Sequence, residues 1–133
     1  MKQSLKGQVR KNKMDKVLVV DDDESFLNLI CLVLSEKFLI RTARNCGEAM
    51  EVLKEGNFDA LILDVSLTDY SGYYLAEQVR KIDTKIPIAF LTNYDSEVTR
   101  ENAVSVGACL WEKSSMASDP KILLEEVNIL INV

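Results

Sequence analysis

Asp21, Asp22 and Asp64 are the residues of this sequence with the clearest capacity for chemistry, and Thr92 and Lys113 are best placed to assist them. The first two acids begin the run "DDDE" directly after the apolar "VLVV", and Asp64 closes the apolar "ALIL". Carboxylates gathered at about 4 Å repel by roughly 4 kcal/mol per pair at an effective dielectric near 20. A folded chain tolerates such a group only with positive charge among it. A hard divalent cation meets that need, and Mg2+ suits it best, because it uses a few carboxylates, keeps waters and bridges to phosphate oxygens. A carboxylate can also be a nucleophile and carry an aspartyl-phosphate. In that chemistry the Thr92 hydroxyl and the Lys113 ammonium would face the phosphoryl oxygens. Asp64 is the nucleophile in this reading, expected to lie between the other acids and the lysine. A structural reading, in which the acids ahead of a helix are only caps and dipole partners, suffices for an isolated pair. It does not account for Asp64 and Lys113 at the same edge.

Bringing these residues together is the task of the elements between them. From residue 16, short apolar runs alternate with stretches of helical spacing. "KVLVV" reads as a first strand, "SFLNLICLVLSEKF" as a broadly buried helix, and "LIRTAR" as a second strand. Asn45 caps a helix that Gly56 ends. "DALILD" is the continuous apolar strand that a parallel sheet buries on both faces. A helix over "YYLAEQVRKI", the strand "IAFLT" after Pro87, a helix over "SEVTRENAVSV" stopped by Gly107, and the strand "ACLW" follow. Asp119 caps the closing helix, with Pro120 at its first position. The fold class is therefore α/β: a doubly wound, five-stranded parallel sheet in the flavodoxin-like order 2-1-3-4-5, with helices on both faces. Ligands of such sheets bind beyond the carboxyl ends of the strands, near the switch in strand order. Asp21, Asp22, Asp64, Thr92 and Lys113 all follow or end strands, so one edge should collect them.

The bulk composition narrows the class. With 133 residues, 47% hydrophobic and 28% charged, the chain suits one globular domain. Its apolar runs are far shorter than the ~20 residues of a membrane span, so no span and a cytoplasmic location are expected. Residues 1–14 carry five Lys/Arg and no acid, so a net charge of −5 overall becomes −10 over the rest. We read 1–14 as a flexible basic arm and 15–133 as the domain, and an acidic body argues against direct DNA binding. The absence of histidine excludes imidazole catalysis within the chain, so any phosphohistidine must come from a partner. Cys31, Cys46 and Cys109 match no metal or redox spacing and read as small apolar residues.

Together, "VLVVDD", "LILDVSLTDYSG" with Gly72 eight residues after Asp64, "FLTN", and Lys113 after "GACLWE" resemble the receiver domains of two-component response regulators. The resemblance covers nearly all of residues 16–131. It implies that Asp64 accepts a phosphoryl group from a sensor histidine kinase or phosphotransfer protein. It also implies that Asp22, Asp64 and the backbone carbonyl of Ser66 bind Mg2+, with Asp21 reaching it through water. By the same resemblance Thr92 bonds a phosphoryl oxygen and reports the phosphorylated state, Lys113 pairs with the phosphate, and a downstream effector protein binds the face of helix four, strand five and the closing helix. Such a domain is a signalling module that assists its own phosphorylation and dephosphorylation, not an enzyme acting on external substrates. The resemblance also implies that Ser66 and Tyr94, two residues beyond Asp64 and Thr92, occupy positions that tune the access of hydrolytic water. The sequence departs from the family pattern at Thr68 and Ser114, where prolines are usual, and at Leu110, where an aromatic is usual and Trp111 follows instead.

Rival chemistries fit less well. A dehalogenase-type phosphatase needs a second aspartate at position 66, which is serine, and "DDDES" would repel the phosphate of a nucleotide or flavin. A receiver-like interaction module working without phosphate, or the amino-terminal part of a longer regulator, are the alternatives. The closing helix is expected to end near Ile131, which suits a stand-alone domain.

Overall fold

The computed structural model describes residues 14–94 and 96–132, and along them strands alternate with helices. They are β1 (Asp15–Val20), α1 (Glu24–Leu34), β2 (Phe38–Ala43), α2 (Cys46–Leu53), β3 (Ala60–Asp64) and α3 (Gly72–Arg80). β4 (Ile88–Thr92), α4 (Glu97–Ser105), β5 (Cys109–Glu112), α5 (Lys113–Ser118) and α6 (Pro120–Asn132) complete the order. All pairings are parallel and the sheet runs β2-β1-β3-β4-β5, the order expected from the alternation. Apart from exposed Met14, the basic arm lies outside the described residues. Among the described residues no helix is long and apolar enough to cross a membrane.

The apolar strands explain the two-faced architecture. Successive strand residues point to opposite faces, and in β1, β3 and β4 both sets are apolar. Val17, Val19, Ala60, Ile62, Ala89 and Leu91 meet α1 and α6 through Phe26, Ile30, Leu34, Leu123 and Val127. On the other face Leu18, Val20, Leu61, Leu63, Ile88 and Phe90 meet α2, α3 and α4 through Ala49, Leu75, Val79 and Ala103. Fully burying each large apolar side chain stabilises the fold by about 1.5–3 kcal/mol.

Local signals set the boundaries. Asp23, Asn45, Ser71 and Ser96 cap α1 to α4, each accepting a backbone N–H from three residues on. Gly107 sits at φ 66° beyond α4, a backbone conformation that glycine adopts without strain. Two expectations are corrected. The first helix stops at Leu34 and not at Phe38, because Phe38 begins β2 and buries its ring in the core. A short helix unforeseen in the sequence, α5, begins at Lys113 and buries Met116. Of the cysteines, Cys46 is buried, Cys31 is half-buried and Cys109 is exposed on the edge strand β5.

Away from the acidic edge, Arg80 ties α3 to the end of α4. Its Nε donates to Val106 O at 2.6 Å and its Nη1 to Ile86 O at 2.7 Å, with a longer bond from Nη2 to Gly107 O at 3.4 Å. Arg80→Met keeps the stem and removes the donors. Leaving those carbonyls unpaired is expected to cost about 1–3 kcal/mol in urea unfolding, with the slope unchanged.

Candidate functional site

Strand register assembles the site. Val20 is opposite Leu63, so the next residues, Asp21 and Asp64, end neighbouring strands side by side. Asp64 is opposite Leu91, and Thr92 is opposite Glu112, so Lys113 lies one step beyond on the same edge. Asp21 N donates to Ala43 O at 3.0 Å, which carries the β1–β2 ladder to the site and fixes the acid's backbone.

The carboxylates converge as anticipated. Asp21, Asp22 and Asp64 each offer an oxygen, and these lie within 4.8 Å of one another. Asp21 and Asp64 are buried, while Asp22 is exposed at the mouth. Lys113 Nζ donates to Asp21 Oδ1 at 3.0 Å and to Asp64 Oδ2 at 3.4 Å. Asp21 Oδ2 is closer still to the ammonium, at 2.8 Å, but without hydrogen-bond alignment, so this buried oxygen has no donor. Here the expectation that Asp64 separates the acids from the lysine is corrected. Lys113 bridges Asp21 and Asp64 and is held mainly by Asp21, because the β1 end reaches the ammonium more closely.

Burial pushes the Asp21 carboxyl up to about 6, with the charge of Asp64 adding to the rise and the Lys113 and Asp23 N–H bonds opposing it. For Lys113 burial acts to lower the pKa, but Asp21 and Asp64 outweigh it and hold the ammonium above its usual range. One ammonium thus serves two buried carboxylates, while a third carboxylate stands at the rim. The donor set is all oxygen, partly buried and under-neutralised, with one buried oxygen lacking a donor, which fits a hard divalent cation.

The remaining site residues take definite positions. Ser66 donates its N–H to Asp64 Oδ1 at 3.1 Å, holding the carboxylate where the loop begins. Thr92 Oγ1 donates to Tyr94 O at 2.8 Å and accepts from Tyr94 N at 3.0 Å, so its hydroxyl is engaged by its own loop. Tyr94 is 83% exposed. Trp111 is buried and packs in the core.

Two contributors escaped the sequence reading. Asp69 Oδ1 accepts from Cys46 N and Oδ2 from Gly47 N, both at 3.0 Å, so the loop after Asp64 is docked on the start of α2. Although desolvation acts to raise its pKa, these bonds and that from Tyr70 N hold the Asp69 carboxyl at about 2. The Phe26 ring lies under the Lys113 ammonium, 4.9 Å from centroid to Nζ. An aromatic in the first turn of the helix leaving the acidic edge was the available signal. Periodicity registers it only as apolar.

Comparison with known proteins agrees with this geometry. Residues 17–110 match the family described as response regulator receiver domain. The chain is 33% identical over 95 residues to the regulatory protein VanR of Enterococcus faecium, covering 71% of this chain and 41% of that protein. It is 35% identical over 94 residues to the response regulator protein PilR of Pseudomonas aeruginosa, covering 70% and 21%. The chain thus matches well under half the length of these relatives. Among solved structures, Vibrio cholerae chemotaxis protein CheY4 superposes with a TM-score of 0.81 at 28% identity, over 88% of this chain and 98% of that one. Response regulator TrrA of Thermotoga maritima, solved in complex with Mg2+-BeF, gives 0.74 at 30% identity, over 88% and 99%.

Proposed function

Because this chain belongs to the response regulator receiver domain family, matched over residues 17–110, we propose that it receives a phosphoryl group on Asp64 from a phosphohistidine of a sensor kinase or phosphotransfer protein. The convergence of Asp21, Asp22 and Asp64 within 4.8 Å, with Lys113 bridging two of them, carries this reading. The domain is taken as residues 15–133. Asp22, Asp64 and the Ser66 carbonyl would hold Mg2+, with Asp21 behind them through water. Support for this ion comes from the oxygen donor set and from the Thermotoga relative's complex with Mg2+-BeF. When bound, the ion supplies positive charge that offsets the transferred oxygens.

The chain's own residues divide the remaining work. The N–H of Ser66 orients the Asp64 carboxylate. One of its oxygens forms the new P–O bond as the donor's P–N bond breaks, and the imidazole nitrogen leaves with the electron pair. Lys113, already 3.4 Å from Asp64, pairs with an equatorial phosphoryl oxygen. Recruiting the Thr92 proton to another oxygen requires breaking the bond it donates to Tyr94 O, which loosens the loop ahead of α4. Transfer thereby biases a two-state loop. The exposed face of α4, with Val98 and Val104, together with β5 and α6, is the surface offered to an effector.

Intact-mass measurement after incubation with acetyl phosphate tests the function. One phosphoryl group per chain is expected with Mg2+ and none with a chelator. An unchanged mass in Mg2+ would contradict the reading and favour a module that works without phosphate. Tyr94, projecting beside Thr92, is proposed to screen the phosphoryl group from water. Tyr94→Ala is expected to shorten the phosphorylated lifetime severalfold in a dephosphorylation time course, and an unchanged rate counts against that role.

A further inference from the structure

We infer that Phe26 is a positioning residue for Lys113, its ring face holding the ammonium at the rim when a divalent ion occupies the carboxylates. The inference rests on the metal-assisted reading of the site. Three groups attract the ammonium in this structure: Asp21, Asp64 and the Phe26 ring. Asp21 is the strongest by distance, at 2.8 Å, yet it belongs to the same carboxylate group that fits a cation. A dication among those oxygens competes for them and repels the ammonium. The ring is the one attraction of the three that a cation does not take. Unless something retains Lys113, it would swing toward water on its flexible stem.

Phe26 is built to stay. Its own backbone N–H donates to the capping carboxylate of Asp23 at 3.1 Å, which fixes the first turn of α1. The side chain is 5% exposed and packed in the core. The Lys113 side chain is only 12% exposed, and cation–π attraction strengthens where both partners are removed from water. The cap that starts α1 at the β1 end of the site thus aims an aromatic face at the residue following β5. A leucine in its place would fill the same space without a negative ring face.

The test reads the ring directly. In the wild-type chain the Lys113 ε-methylene protons are expected upfield of ordinary lysine positions, through the ring current of Phe26, and to remain so at saturating Mg2+. Phe26→Leu should abolish the displacement and slow phosphorylation by acetyl phosphate about three- to tenfold. Phe26→Tyr should restore both. Collapse of the displacement when Mg2+ is added, its persistence in Phe26→Leu, or wild-type phosphorylation by Phe26→Leu would each overturn the inference. Should Phe26→Leu fail to fold, the wild-type Mg2+ titration alone decides. A wild-type chain that takes up no phosphoryl group would refute the reading of the site, while the resonance still judges the ring.

Discussion

Gly72→Ala will unfold at a temperature roughly 10–20 °C below the wild type, the largest effect expected of any single methyl group in this chain. A Cβ at position 72 would stand 2.1 Å from the backbone oxygen of Asp64 and 3.3 Å from the Cα of Val65. Backbone atoms cannot turn aside as a flexible side chain can. Gly72 N also donates to Val65 O at 2.8 Å, and Ser66 bridges to Ser71, so the loop closes tightly on itself just where α3 begins. Relief requires prising the loop from the end of β3. Overpacking of this kind costs about 3 kcal/mol or more. Because the displaced oxygen is that of the proposed phosphoacceptor itself, phosphoryl uptake should fall more than stability alone explains at a temperature where the variant is folded. A variant as stable as the wild type by thermal unfolding would mean that the close approach is not a real constraint.

The second large effect is a stability that falls as pH rises, and that Mg2+ restores. Asp21 is raised from 3.8 to about 6 in the folded chain, by burial first and by Asp64 next. A raised pKa means that folding favours the protonated acid. Its contribution is fully present below about pH 4 and is lost as the pH climbs through 6. A shift of this size corresponds to roughly 3 kcal/mol. Asp69 and Glu55 act in the opposite sense. Both carboxyls are held at about 2, so their contribution is present above about pH 4.5 and is lost as the pH falls toward 2, equally in the wild type and in Asp21→Asn. Metal-free chain should therefore lose stability between pH 4 and 7 relative to Asp21→Asn, measured by urea unfolding at each pH. Added Mg2+ should stabilise the wild type much more at pH 7 than at pH 5, since a cation binds the ionised cluster and stabilises the fold by mass action. An equal Mg2+ effect at both pH values, or a wild type that gains stability over Asp21→Asn as the pH rises, would count against a shared cation site.

Much of this was legible in the sequence because the signals were backbone-periodic or positional. "ALIL" and "VLVV" demand burial on both faces, and that demand leads to a parallel sheet, to its order, and to the edge where Asp21, Asp64 and Lys113 meet. What stayed hidden depends on side-chain reach across that edge. A lysine stem long enough to touch either acid settles on Asp21, which spacing cannot reveal. The Phe26 ring beneath the ammonium and the Asp69 carboxylate on α2 are likewise contacts between residues far apart in the chain. The short helix α5 is not legible because "KSSMAS" offers a single large apolar residue, too few for a period. An aromatic after an apolar run suits either a helix or a strand, so only packing in the core decides the place of Phe38.

The central claim is that carboxylates from separate strands share one cation so that Asp64 alone can accept a phosphoryl group. Its most direct test is the position of the modification. Chain treated with acetyl phosphate and Mg2+, reduced with borohydride to convert an acyl phosphate into a stable alcohol, and sequenced by tandem mass spectrometry should show one altered residue, Asp64, and none after Asp64→Asn. Alteration at Asp21 or Asp22, or at no aspartate in a chain that has gained a phosphoryl group, would contradict the account.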